Sequence, residues 1–442
     1  PFEPDPASTG VGSGCLQDIP GCTTFPASWG QHVYVKTLIL AAAGLTAAPP
    51  IAASEIEEII VTAELRKTPL MQQATSTTVV SSRDISQRAA QHLEEMLNLA
   101  PNVNYASGAS RSRFYQVRGI GERSQFVEPL NPSIGLVIDG IDFSGLGTAG
   151  SLFDVEQVEV LRGPQGTLHG ANALAGLINI NTGAPSDQAE MRVEAMAAEY
   201  GTWSAGLMGT GPLVADTLLY RLAVNRYESD GFIDNRHLGR DDTNNRDEIA
   251  IRGKLRWLAG DTDAVDLTLL YSDVDNGYDA FSLDNTRDTL SDQPGRDTLE
   301  STALGVRWQR ELDSIALQTA ASIASTDTDY SYDEDWSFVG IAPGLEYSSF
   351  DRYQRERESA SAELRLLSRQ PLAWAGLSSD WVAGLYYLGD REDLARSYTF
   401  LAQDFTSAYD TDTFAAFGQL DTALTDALVL VTGLRLERRD TD

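Results

Sequence analysis

FDVEQVEVLRGPQGTLHGANALAGLINI, residues 153–180, decides how this chain is read. Val155, Val158 and Val160 make a short apolar strand. Gly163, Gly166, Gly170 and Gly176 then let the backbone turn tightly and approach other backbone closely, since a residue without Cβ meets little steric barrier. Residues 177–180 close the segment as a second strand. The outcome is compact β-rich packing on which no catalytic residue types converge.

Downstream the pattern changes. Ile249, Ile251, Gly253, Leu255 and Trp257 alternate with Glu248, Ala250, Arg252, Lys254 and Arg256. Apolar side chains on one face and charge on the other, over about ten residues, mark a strand of an outer-membrane barrel. Val265, Leu267, Leu269 and Tyr271 repeat it against Asp266, Thr268 and Ser272, as do Leu428, Leu430, Leu434 and Leu436 against Arg435 and Glu437. Eleven such segments are expected, near 191–199, 202–210, 217–227, 246–258, 264–273, 299–309, 314–326, 353–367, 380–390, 412–421 and 427–438. Short connections (211–216, 259–263, 310–313, 421–426) alternate with long ones (228–245, 274–298, 327–352). Short periplasmic turns and long outer loops are the rule in such barrels, and Trp257, Trp308 and Trp381 beside the short connections fit an interfacial girdle.

Composition narrows the partners. The 442 residues exceed one ordinary domain, 42% are hydrophobic, and 64 acidic against 33 basic residues give a net charge of −31, which argues against nucleic acid. No apolar run reaches the roughly 18 residues of a spanning helix, so any membrane crossing is by strands. Cys15 and Cys22 are the only cysteines, and His32, His92, His169 and His237 show no metal-ligand spacing, so no metal or cofactor is expected. Gly119-Ile120-Gly121 has Ser124 where a dinucleotide fingerprint needs a third glycine, and no phosphate-loop motif occurs.

Upstream, residues 1–34 are irregular and read as a non-native extension of the chain. Val35-Lys36-Thr37, the apolar run 38–48 and the small-residue triplet Ala52-Ala53-Ser54 make 35–54 a secretory signal peptide. Next comes Glu57-Glu58-Ile59-Ile60-Val61-Thr62-Ala63, a β-branched strand with no obvious local partner, suited to joining another protein's sheet. Residues 75–185 form a domain with a strand at 77–80 and a helix at 82–99, which Pro101 ends by disfavouring helical geometry before it. Strands at 116–121 and 134–141 follow.

These pieces together resemble a TonB-dependent outer-membrane receptor. Residues 153–180 resemble the end of its plug domain, and Leu99-Ala100-Pro101-Asn102-Val103, Arg118-Gly119-Ile120-Gly121 and Val137-Ile138-Asp139-Gly140-Ile141 match further plug signatures in order. His169, Ala171 and Ala175 depart from it slightly. Residues 57–63 resemble the TonB box, in the family's place for it. The resemblance implies a mainly β fold: an α+β plug inside an antiparallel transmembrane β-barrel. Plugged outer-membrane transporters have about 22 strands, so residues 186–442 are expected to supply about half the wall. An open edge leaves backbone unsatisfied in lipid, and the chain stops at Asp442 without the family's terminal aromatic, so a truncated sequence is expected.

By the same resemblance the chain is no enzyme. It is an importer in the outer membrane of a Gram-negative bacterium, energised through TonB by the inner-membrane proton gradient, with a ferric siderophore as the first expectation for cargo. Cobalamin, haem, an oligosaccharide, or a fragment that transports nothing are the alternatives. TonB is expected on Glu57, Glu58, Ile59, Ile60, Val61, Thr62 and Ala63. Arg118 and Arg162 in the plug are expected to latch onto the wall glutamate Glu363, which shares a strand face with Arg357, Ser361 and Arg365. Arg111, Arg113 and Tyr115 lie where the family places an outward plug loop, and are expected ligand contacts beside the reading of solvated loop charge. The acidic residues Asp327, Asp329, Asp333, Glu334 and Asp335 are expected to hold nothing.

Overall fold

The computed structural model describes residues 59–442, apart from 107, 124–131, 167–169 and 375. The extension 1–34, the signal peptide 35–54, both cysteines, Glu57, Glu58 and His169 lie outside the described residues.

The described chain opens with β1 (Ile60–Val61), which pairs antiparallel with β2 (Thr68–Pro69), so the box strand has a local partner after all. The plug sheet begins with β3 (Ser76–Ser81). Ser81 then starts the helix α1 (Ser82–Arg88) with a full capping box to Asp84. That helix is much shorter than the expected 82–99. Ala89 takes the left-handed conformation at φ 51° and ends it, and the next residues are claimed by tertiary bonds: Leu93 N–H donates to the Gly150 carbonyl and Leu152 N–H to Gln91. Residues 93–95 and 97–99 are single 3₁₀ turns.

The hairpin of β4 (Val103–Ala106) and β5 (Phe114–Val117) follows, then β6 (Ile134–Ile138) and β7 (Ile141–Asp142), joined through Asp139 and Gly140, both with positive φ. The two strands read from residues 153–180 are β8 (Val155–Arg162) and β9 (Gly176–Thr182), paired antiparallel. They form the middle of a five-stranded sheet ordered β3-β8-β9-β6-β7. Gly176 has no room for a side chain, since a Cβ there would sit 2.8 Å from the Leu161 carbonyl oxygen.

The wall starts with β10 (Glu190–Ala197), β11 (Trp203–Val214) and β12 (Leu218–Ser229). After the short outer strand β13 (Asp234–Asn235) come β14 (Arg246–Leu258) and β15 (Asp263–Tyr278). The outer strand β16 (Asp288–Thr289) pairs with β13 and laces two loops together. Then follow β17 (Gly295–Glu311), β18 (Ile315–Asp333) and β19 (Phe350–Ser368). The last four are the small β20 (Leu372–Trp374), then β21 (Leu377–Tyr398), β22 (Phe405–Thr425) and β23 (Leu428–Thr441). One antiparallel sheet runs β10-β11-β12-β14-β15-β17-β18-β19-β21-β22-β23, with β20 beside β21. All eleven expected segments are strands in it, several of them longer than their hydropathy signalled.

Alternation assigns the faces. Leu270, Val274, Leu299 and Ala303 join the plug's hydrophobic core. On the opposite face Leu255, Leu267, Leu269, Leu304, Val306, Ile323, Leu364 and Leu385 stay exposed and form the lipid band. Trp257 and Trp308 both pair with Val265 and so lie in one cross-strand row, with Trp381 nearer the short turns. No helix among the described residues is long and apolar enough to cross a membrane.

Candidate functional site

Three groups of residues could do work here: the tether at the short-turn end, the seam between plug and wall, and the outer mouth of the lumen.

The tether is held on both sides. Val61 is buried against Leu161 and Leu177 of the plug. Glu159 of β8 is 0% exposed and accepts from Thr62 N–H at 2.9 Å, Thr62 Oγ1 at 2.8 Å and Ala63 N–H at 2.8 Å. Gln157, Asn179 and Asn181 donate to the same carboxylate. A buried charge needs such a set of donors, because each missing one leaves desolvation uncompensated. Residues 65 and 66 then meet the wall, where Leu65 packs with Leu367, Val382 and Phe417.

The seam is made of ion pairs. Arg111 is 0% exposed, and its Nε and Nη2 donate to Glu248 of β14 at 2.7 and 2.9 Å while Nη1 reaches Glu94 at 3.1 Å. Asp297 of β17 receives Arg113 Nη2 at 3.1 Å and both the N–H and the hydroxyl of Ser110. Asp154 at the start of β8 takes Arg221 of β12 at 2.6 Å and Arg192 of β10 at 3.0 Å. Lys254 reaches Asp139 at 2.8 Å, and the Arg252 guanidinium bonds the Phe153 carbonyl. Arg357, paired with Asp390, also donates to the Ser144 carbonyl at 2.6 Å. The plug is therefore fixed to five wall strands, β10, β12, β14, β17 and β19. Near Arg111, burial and the neighbouring guanidinium push the buried His92 imidazole down to about 4, so it sits neutral with Nε2 3.3 Å from the Thr148 carbonyl oxygen.

This arrangement corrects two expectations. Arg111, Arg113 and Tyr115 do not present themselves to a ligand: the stretch folds down between plug and wall because Glu94, Glu248 and Asp297 wait there. Tyr115 is buried too, its hydroxyl donating to the Ser112 carbonyl at 3.3 Å, and burial raises its pKa. Nor does the structure bring Arg118, Arg162 and Glu363 together. Arg118 is exposed with φ 55°, and Arg162 donates to the Pro101 carbonyl within the plug at 3.1 Å. Glu363 faces the lumen as expected, yet it is bidentate with Arg365 two residues along its own strand.

At the outer mouth, Tyr278, Tyr330 and Tyr353 are buried with Leu394 and the plug residue Ala109. Phe281 stacks on Trp336 with centroids 4.9 Å apart. Arg113 lies over Tyr330 at 5.8 Å, and Arg396 and Arg355 lie over Tyr353 at 5.0 and 5.5 Å. Each of these guanidinium groups is also paired with a carboxylate, Arg113 with Asp297, Arg396 with Asp351 and Arg355 with Glu392, so rings and ion pairs together make a packed floor to the mouth. Among the acidic outer residues, Asp333 accepts from Ser291 of the neighbouring loop and from the Asp335 and Trp336 N–H of its own, and Asp335 accepts from Ser337 and the Ser349 N–H. No group of three or more potential metal ligands occurs among the described residues.

Sequence reasoning missed Glu159, Leu65, Arg66, Asp154, Asp139, Lys254 and Asp297. Lys254 and Glu248 were legible as inward by alternation; Glu159 lies inside an apolar strand, and its partners are remote in sequence.

Comparison with known proteins places this architecture. Residues 69–177 match the family model described as TonB-dependent Receptor Plug Domain. The pesticin receptor of Yersinia pestis is 29% identical over 381 residues, covering 81% of this chain and 52% of that protein. The chain thus spans about half the length of the curated relatives it matches. The vitamin B12 transporter of Vibrio vulnificus is 28% identical over 178 residues, 40% of this chain and 28% of that one. Among solved structures, the ferric yersiniabactin uptake receptor of Yersinia pestis superposes with a TM-score of 0.71 at 22% identity, over 83% of this chain and 57% of that one. The ferric-catecholate import receptor of E. coli gives 0.67 at 17% identity, over 84% and 61%. These relatives are receptors and transporters rather than enzymes. Residues 69–177 thus match the plug domain of TonB-dependent receptors, and the eleven-stranded wall beside them has the fold of those receptors' barrels.

Proposed function

We propose that this receptor imports a ferric siderophore, driven through TonB by the inner-membrane proton gradient. The supporting observation is a plug equipped differently at its two ends. At the short-turn end it carries the box strand, with Ile60 and Val61 in a two-residue pairing that a partner strand can replace. At the other end the aromatic mouth, where the exposed Trp336 stacks on Phe281 above the buried Tyr278, Tyr330 and Tyr353, offers a stacking face to an aromatic chelate. Between them the plug is seated by ion pairs, so passage of cargo requires that some of these open. The outer membrane holds no ATP, and traction on the box supplies the work. The ferric yersiniabactin and ferric-catecholate receptors named above favour iron chelates as cargo.

Cobalamin is the second reading, favoured by the vitamin B12 transporter match. The two separate in one experiment. Cells expressing the complete receptor are starved of iron and offered labelled ferric chelates or labelled cobalamin, with and without residues 57–63. Energised uptake of a ferric chelate that the deletion abolishes, with binding intact, is the expected result. Uptake indifferent to the deletion overturns the TonB coupling, and uptake of cobalamin alone overturns the cargo.

A further inference from the structure

The chain between box and plug is bonded to the wall before it enters the plug sheet. Leu65 is 3% exposed in a pocket made by Leu367, Val382 and Phe417, one from each of β19, β21 and β22. The adjacent Arg66 directs a single guanidinium nitrogen, Nη2, to the Ser368 carbonyl at 2.7 Å, to the Trp381 carbonyl at 3.0 Å and to the Ser368 hydroxyl. Asp380 lies 3.9 Å from it. Leu367 and Val382 are a cross-strand pair, so the anchor straddles two hydrogen-bonded wall strands at their short-turn end. The chain re-enters the plug sheet only at Ser76.

From the box onward, the attachments therefore follow in order: to the plug through Glu159 at residues 62–63, to the wall at residues 65–66, and to the plug again, first through Leu70, which packs with Leu161 and Leu177, and then at β3. Attachments in series do not share a pull. Whatever lies beyond a fixed point feels nothing until that point gives way. The wall is held by eleven laterally bonded strands in a bilayer and does not follow the tether. The plug can.

We propose that Leu65 and Arg66 form a traction stop, which transfers a pull on the box to the barrel wall and shields β3 until it detaches. The inference rests on the reading above that a partner pulls at the box. The Glu159 clasp opens first, because it lies nearest the pull and consists of hydrogen bonds. The stop opens second, since an apolar side chain must leave its pocket while a guanidinium loses two carbonyls. After that Leu70 leaves its packing on the plug, and the residues from Arg66 to Ser76 give slack of at most about 35 Å before β3 is loaded. The stop thus sets a threshold: weak or brief engagement of the box leaves the plug seated.

The test pulls single complete receptors, held in supported outer-membrane patches, with a TonB C-terminal fragment on the probe. The unaltered receptor is expected to show an early rupture at short extension, ahead of any plug extension. Leu65→Ser/Arg66→Ala is expected to lose that rupture, and Arg66→Ala, which keeps the apolar pocket filled, to lower its force. In cells, the double variant is expected to sustain uptake at an uncoupler dose that reduces unaltered uptake at least twofold. Chelate binding reports that each variant is folded. Superimposable traces for all three proteins overturn the stop. Failure of the fragment to capture the unaltered receptor overturns the underlying reading instead, and a receptor lacking residues 57–63 controls for capture through the box.

Discussion

Glu248→Gln is expected to loosen the plug, whereas Glu363→Gln is not. Arg111 is fully buried and bidentate to Glu248, with Glu94 its second carboxylate at 3.1 Å. Removing one partner of a buried ion pair typically costs about 3–5 kcal/mol, chiefly because the remaining charge is left unsolvated. In Glu248→Gln the arginine keeps Glu94 and an amide oxygen, so the cost belongs at the lower end, about 3 kcal/mol. At 1.4 kcal/mol per tenfold, that shifts the ratio of seated to displaced plug by roughly 100-fold. Arg111→Met strands two carboxylates and belongs at the upper end, about 5 kcal/mol. The double variant Arg111→Met/Glu248→Met removes both charges and recovers much of the loss, so the two changes are far from additive. Glu363 pairs with Arg365 on its own strand, and its neutralisation stays within the wall. The assay is entry of an antibiotic too large for general porins into cells carrying the complete receptor, alongside calorimetric unfolding of the plug in detergent. Leakage in Glu363→Gln together with tightness in Glu248→Gln refutes this assignment of the seam.

Further outcomes follow from single contacts. Glu159→Ala deprives Thr62 and Ala63 of their acceptor; with bonds to a charged group contributing about 1.5–3 kcal/mol, a TonB fragment should capture the box at least tenfold more readily. Equal capture and equal protease cleavage near Val61 count against the clasp. A Cβ on Gly206 would lie 2.2 Å from the Phe153 ring, so Gly206→Ala should lower plug stability by about 1–3 kcal/mol, and Phe153→Leu in the same protein should restore part of it; a Tm unmoved by Gly206→Ala excludes this close approach. Burial pushes the Asp139 carboxyl up, but the Lys254 ammonium and the Thr182 donors outweigh it and hold the pKa below its usual value. A depressed pKa gives stability that is present above the unfolded value of about 4 and is lost as pH falls through the folded one. Lys254→Met should therefore move acid loosening of the plug to higher pH, read as protease resistance between neutral pH and pH 3, and an unchanged profile removes the pair from the account.

Much of the fold was legible because lipid imposes a strict two-residue period. Residues 246–258 match β14 to the residue. The outer ends were not: β21 runs to Tyr398, whereas its alternation was read only to residue 390. Above the lipid both faces meet polar surroundings, as Arg391 and Glu392 show, and a strand there carries no hydropathy signal. The helix at 82–99 failed for a different reason. Its apolar period was real, with Leu93, Met96 and Leu97 all buried in the core. A period of three to four residues is kept equally by a short helix followed by 3₁₀ turns, and the bonds of Gln91 and Leu93 to residues 150–152 select the latter.

The seam was misread because local sequence reports which charges exist, not where their partners wait. Arg111 and Arg113 stand in a polar, glycine- and serine-rich stretch that looks like a solvated loop. Their carboxylates, Glu248 and Asp297, are more than a hundred residues away, each on the lumenal phase of a strand. That phase was itself readable: Glu248 alternates with the lipid-facing Ile249 and Ile251, and a carboxylate facing the lumen of a plugged barrel must meet either water or a plug cation. Every inward charge of the wall is thus a partner for the plug's basic residues, which makes Arg111 and Arg113 candidates for the seam as well as for a ligand. Glu363 shows the limit of such matching, because an arginine two positions along the same strand shares its face and reaches it first. Asp297, with Gly295 and Leu299 at those positions, has no such neighbour, and the Arg246 beside Glu248 is drawn off to the Ser110 carbonyl, so both carboxylates are left to hold a plug.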